Sequence, residues 1–200
     1  MSGREIGFSC RLPHWVHGAV DFNRSYPTVQ DKMTVVNTLA RRNVEEDTGG
    51  PFGAAVFDLT THRLVGPGVN MVVPSSNPTA HAEIVAISVA GSTLGTYDLG
   101  DEGRKPTALV TSVEPCAMCL GATPWSGVSR IVIGARDEDA RAVGFDEGNK
   151  PANWIESLES RGITVVRDVL REEATKILVM YEQADKKIYN IAPMTDGVTG

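Results

Sequence analysis

The run Thr107-Ala108-Leu109-Val110-Thr111-Ser112-Val113-Glu114-Pro115-Cys116-Ala117-Met118-Cys119 decides how the rest of the chain is read. Residues 107–113 are β-branched or small and mostly apolar, the composition of a strand buried on both faces. Pro115 suits the first turn of a helix, where a missing N–H costs nothing. A buried strand running into a helix is the repeating unit of an α/β sheet. Cys116 and Cys119 sit at that junction, spaced so that both fall on one side of the helix that begins there.

Working toward the N-terminus, Asn77-Pro78-Thr79-Ala80 opens a helix predicted to run to about residue 90. Before it lie two strand-like runs, 52–59 and 64–72, joined by the polar turn Thr60-Thr61-His62-Arg63 in a hairpin pattern. Residues 28–46 carry Met33, Val36, Leu39, Ala40 and Val44 at helical spacing. Toward the C-terminus, a strand at 129–135 is followed by a helix at 151–161 that Gly162 stops. A short strand at 163–166 and a helix at 171–183 complete the series. Strands that alternate with helices after a hairpin predict a mixed sheet of about five strands, the last ones parallel, between helix layers. No linker divides the chain. The expectation is an N-terminal extension at 1–27, one domain at 28–190 and a flexible tail at 191–200.

Composition narrows the function. The chain has 200 residues, 42% of them apolar and 22% charged, which suits one soluble domain. No apolar run is long enough to span a membrane, and no signal-like segment is visible, so a cytoplasmic protein is expected. The net charge of −6 and the absence of a Lys/Arg stripe argue against a nucleic-acid partner and favour a small neutral ligand. The three cysteines form no disulfide framework, and Cys10 reads as an ordinary thiol.

His81-Ala82-Glu83 near one helix start and the Cys116/Cys119 pair at another belong together. Two thiolates and one imidazole balance a divalent zinc and leave one corner of its tetrahedron open. The helix N-terminus favours the thiolates. Water at the open corner has its pKa lowered to about 7. Glu83 in the first turn can lean toward that water without ligating the ion, and so carry its proton to a ring nitrogen. A structural zinc site would call on a further Cys or His, and His14, His17 and His62 are remote in sequence. The site reads as catalytic, with His81, Cys116 and Cys119 as zinc ligands.

The combination His-x-Glu with Pro-Cys-x-x-Cys is the zinc deaminase signature. Residues 77–84 and 111–122 resemble the cytidine deaminase-like superfamily. Gly49-Gly50-Pro51-Phe52-Gly53, Val69-Asn70, Trp125, Gly144-Phe145-Asp146-Glu147-Gly148 and Lys187-Ile188-Tyr189-Asn190 resemble its guanine deaminase branch in particular. The resemblance spans about 50–190. It implies a three-layer α/β/α fold and a homodimer in which the C-terminal segment closes the partner's pocket. It also implies roles for residues. Asn70 and the backbone of Ala82 would hold the base, Phe52, Trp125, Phe145 and Tyr189 would shape its slot, and Glu147 would serve as a second catalytic carboxylate beside Glu83.

The activity so implied is hydrolysis of guanine to xanthine and ammonia, by attack of zinc-bound hydroxide. Cytosine, guanosine, cytidine or an aminotriazine such as ammeline are alternative substrates. Deamination of tRNA adenosine and a non-catalytic zinc-bound binder are further readings. Asn77 stands where many guanine deaminases have Asp, and Pro124, late in the Cys helix, should kink or end it. Residues 1–27 match nothing in the family. His14, Trp15 and His17 there either pack on the surface or core or reach the pocket.

Overall fold

A computed structural model of the chain describes residues 10–190; the start of the N-terminal extension and the 191–200 tail lie outside the described residues. A single turn, α1 (Val16–Ala19), leads to the long helix α2 (Val29–Glu45). Thr28 caps α2. Its hydroxyl accepts from Asp31 N at 3.0 Å, and the Asp31 carboxylate accepts from Thr28 N at 3.1 Å. Such a reciprocal cap contributes about 1 kcal/mol.

The expected hairpin follows as β1 (Gly53–Asp58) and β2 (Leu64–Val69). After a short turn of helix, α3 (Val72–Ser75), comes α4 (Ala82–Leu94). Strand β3 (Thr107–Val113) runs into α5 (Ala117–Ala122), and a 3-10 turn at Thr123–Ser126 leads to β4 (Arg130–Ala135). The chain closes with α6 (Asp137–Ala142), α7 (Trp154–Glu159), β5 (Thr164–Val166) and α8 (Arg171–Gln183). The sheet order is β2-β1-β3-β4-β5; β1 pairs antiparallel with both β2 and β3, while β3, β4 and β5 are parallel. Pro67 is tolerated because β2 is an edge strand.

Period-two alternation explains the layers. Ala54, Val56, Leu109, Ile131 and Ile133 face Ala82, Ala86 and Ala90 of α4 and Trp154 and Leu158 of α7. Ala55, Phe57, Ala108, Val110 and Val132 face the other way, onto Met33 and Val36 of α2. Both faces are covered, so β2 and β3 are buried throughout. Helix α4 rests almost directly on β2. A Cβ on Gly68 would stand 2.2 Å from Ala82 O, and one on Gly66 would stand 2.5 Å from Ala90 N. Those glycines and the Ala82/Ala86/Ala90 stripe fix where α4 begins.

Two helix starts differ from expectation. Helix α4 begins at Ala82 rather than near Asn77. Asn77 Oδ1 instead accepts from Thr79 N at 3.0 Å and from Thr79 Oγ1 at 2.8 Å, a side-chain turn that competes with helix. Pro115 lies before α5 rather than in its first turn, since Cys116 is the extended N-cap residue. Pro124 does end the Cys helix, within the 3-10 turn.

Candidate active site

One end of the sheet gathers the functional residues. Phe52 precedes β1, Asn70 follows β2 and Cys116 follows β3, and the antiparallel pairings of β1 with β2 and β3 bring these three ends side by side. They line a cavity of about 330 Å3 together with His81, Glu83, Phe145, Glu147 and Tyr189. That is a space for one small ring system.

The metal donors converge. The ligand atoms of His81, Cys116 and Cys119 all lie within 4.8 Å of one another, and His81 Nδ1 is 3.5 Å from Cys116 Sγ. Zinc bonds of about 2.3 Å to sulfur and about 2.05 Å to nitrogen, at tetrahedral angles, put those two atoms about 3.5 Å apart. The donor set therefore fits the ion in type and in spacing. His81 and Cys116 are both helix N-cap residues, and Cys119 is buried one turn into α5. The hydrogen bond from Cys119 outweighs burial and, with His81, brings the Cys116 thiol down to about 4. That same bond to Cys116, together with burial, raises Cys119. For His81, burial lowers the pKa, but the Cys116 contact and nearby negative charge leave it raised.

Two carboxylates share the cavity with this triad. Glu83, at the second helical position of α4, is 6% exposed; burial first and then the charge of Cys116 raise its pKa. Glu147 is equally buried, and burial, with Cys116 and Glu83 adding, pushes it up to about 8. Its backbone oxygen accepts from Ala117 N at 2.9 Å, tying the 145–147 loop to the start of α5.

The remaining walls are aromatic. Phe52 meets Phe145 edge-on at 4.8 Å, and Tyr189 lies 5.6 Å from Phe145. Asn70 Nδ2 donates to the Tyr189 hydroxyl at 2.6 Å. Ala82 is buried at the first helical position of α4, where a backbone N–H has no intrahelical acceptor; it does not line the cavity.

Other expectations are corrected. Trp125 is not part of this wall: it projects from the 3-10 turn with its indole 87% exposed, because the chain leaves α5 away from the cavity. Within this single chain, the C-terminal segment lies over the cavity. Asn190 holds it, accepting from Asp146 N at 3.0 Å and donating to Gly144 O at 2.8 Å. His14 and His17 are exposed and stand apart from the cavity.

Sequence reasoning also missed a buried ion network behind the site. Glu114, 5% exposed, accepts from Lys150 Nζ at 2.7 Å and from Arg167 Nη2 at 2.8 Å. Lys150 also donates to Pro115 O at 3.0 Å and pairs with Asp137 at 2.6 Å. The only signal for it was an acid placed directly before Pro-Cys.

Residues 27–135 match the family model of the cytidine and deoxycytidylate deaminase zinc-binding region. A guanine deaminase of Bacillus subtilis (strain 168) is 37% identical over 152 residues, 76% of this chain and 93% of the relative. The structure of guanine deaminase from Nitrosomonas europaea aligns with a TM-score of 0.84 at 42% identity, covering 90% of this chain and 100% of that one. A protein crystallised in complex with 2,6-diaminopurine aligns with a TM-score of 0.83 at 44% identity, covering 90% and 95%. With its donor set, its fold and these matches in agreement, the chain belongs to the cytidine and deoxycytidylate deaminase zinc-binding family and is a zinc-dependent aminohydrolase.

Proposed function

We propose that this enzyme hydrolyses guanine at C2 to give xanthine and ammonia. The observation that carries this reading is the pair of buried carboxylates, Glu83 and Glu147, sharing an aromatic-walled cavity with the zinc donors. The relatives that act on guanine or bind a diaminopurine support it.

His81, Cys116 and Cys119 would hold zinc, which would supply a Lewis acid that makes water nucleophilic near neutral pH. Glu83 takes a proton from the attacking water as its oxygen bonds to C2, and delivers it to ring N3. Glu147, whose carboxyl burial favours in its protonated form, gives a proton to the amino group as the C2–N bond breaks. The hydroxyl proton on C2 passes to Glu83 as the new carbonyl forms, and solvent restores both carboxyls. Water contributes one oxygen and two protons, so the step balances. Asn70 and the rings of Phe52, Phe145 and Tyr189 orient the base and exclude bulk water.

The functional unit in this reading is a homodimer. The exposed Trp125 and Met118, large apolar side chains left open to solvent, support a second copy covering them. In that dimer the segment carrying Tyr189, which lines the cavity, would close the partner's site. No helix among the described residues is long and apolar enough to cross a membrane, and we read the enzyme as cytoplasmic.

The test is ammonia release from guanine, guanosine, cytosine, cytidine, adenine, ammeline and tRNA by the zinc-replete protein. Guanine should exceed every other substrate in kcat/KM by at least tenfold; a preference for any other compound overturns the reading.

A further inference from the structure

The Trp15 segment is wired to the cavity wall, and we propose that Asn43, oriented by Thr48 and Trp15, is the positioning residue for that wall. This role rests on the reading of the cavity as a purine site.

Asn43 is fully buried on the inner side of α2. Its Nδ2 donates to Gly50 O and to Asn70 O, each at 2.8 Å. Both acceptors lie in segments that form the wall. Phe52 N donates to Gly50 O at 2.8 Å, and Asn70 N donates to Phe52 O at 3.0 Å. One amide therefore clamps the approach to Phe52 and the backbone of Asn70 together. Space is equally restricted, since a Cβ on Gly49 would stand 1.9 Å from Asn70 O and 2.7 Å from Asn43 Nδ2.

The clamp has a defined polarity. Two carbonyl acceptors require the amide nitrogen on their side, so the amide oxygen must receive a donor. Thr48 Oγ1 supplies it at 2.8 Å. With its hydrogen used, the Thr48 hydroxyl can only accept, and Trp15 Nε1, a donor with no acceptor capacity, fills that place at 2.9 Å. No link can be reversed without leaving two like groups facing each other. The indole is itself held: Arg42 stacks over it at 4.9 Å, and the adjacent Val16 is buried against Leu39, Val69 and Met71. Trp15 lies before the region that the family model matches, so this chain's own N-terminal segment orients the base-holding Asn70.

No proton or bond of the reaction passes through Asn43, Thr48 or Trp15. Loosening the clamp should weaken base binding while leaving the chemical step largely intact. Thr48→Val removes the hydroxyl at nearly constant shape, and Thr48→Ser keeps it. On the zinc-replete full chain, the measurements are kcat and KM for guanine, Kd for 8-azaguanine by calorimetry, and Tm. Thr48→Val should raise KM and Kd about fivefold, the worth of one net hydrogen bond, with kcat within about twofold. Thr48→Ser should stay within about twofold of the parent. Trp15→Phe should act in the same direction, and adding it to Thr48→Val should cost little more.

Parent-like KM and Kd in Thr48→Val overturn the proposal. So does a fall in kcat at constant KM, which is what a partly unfolded preparation gives. A parent protein that neither binds 8-azaguanine nor deaminates guanine overturns the substrate reading instead, and shows it before any variant is made.

Discussion

Glu83 and Glu147 have the same charge and nearly the same burial, yet the chemistry asks different things of them. In the proposed reaction Glu83 gives and takes a proton in turn, and Glu147 begins protonated. Changing Glu83 to Gln keeps its shape and removes its basicity. Turnover should fall about a thousandfold or more while zinc stays at one per chain, measured by metal analysis beside the assay. Losing Cys116 to Ser should instead empty the site, with zinc well below one per chain after gel filtration. Glu147 can be tested without turnover. Its folded pKa of about 8 lies above the ordinary value of 4.5, so the metal-free folded state holds a proton that the unfolded chain has released. Stability from this group is complete below about pH 4.5 and is lost as pH rises through 8. Glu147→Gln does not titrate. The metal-free variant should therefore gain on the parent by about 4 kcal/mol between pH 5 and pH 9. A difference that stays flat across that range contradicts the burial account. At this scale the ligands and Glu83 were legible because their chemistry demands particular residue types at short spacings. Asn43 and the Glu114–Lys150 pair were not, because their partners come from distant parts of the chain.

Among the elements, α4 and α5 do most of the positioning, since each carries a zinc ligand as its N-cap. The placement of α4 depends on β2 having no side chains at 66 and 68. Gly68→Ala should destabilise the fold by about 2 kcal/mol and weaken zinc binding, because α4 must shift with His81 at its start. A urea titration and a competitive zinc titration check both effects; a parent-like value in either would mean that α4 is anchored elsewhere. Strands β3 and β4 and helix α8 were readable from periodicity almost to the residue, as both faces of the sheet are covered and their apolar runs are long. The start of α4 was misjudged because the Asn77 turn is local and polar, and α1, α3 and α6 are too short to show a period. Trp125 was misplaced for a related reason. A residue just past a helix end takes its direction from the turn that follows, and the 3-10 turn sends it outward.

For the molecule as a whole, a net charge of −6 and a cavity of about 330 Å3 favour a small neutral substrate over a polyanion. The zinc triad joins β3–α5 to the start of α4, so the ion should bind the folded chain more tightly than the unfolded one. Removing it with a chelator should lower Tm by several degrees, and adding zinc back should restore Tm and turnover together. The most direct measurement is zinc K-edge X-ray absorption on the metal-replete protein. The expected spectrum has about two sulfurs near 2.3 Å and two lighter atoms near 2.0 Å, one of them from His81. Four sulfurs, a shell of oxygens alone, or no bound zinc would contradict the assignment of His81, Cys116 and Cys119 on which the proposed chemistry stands.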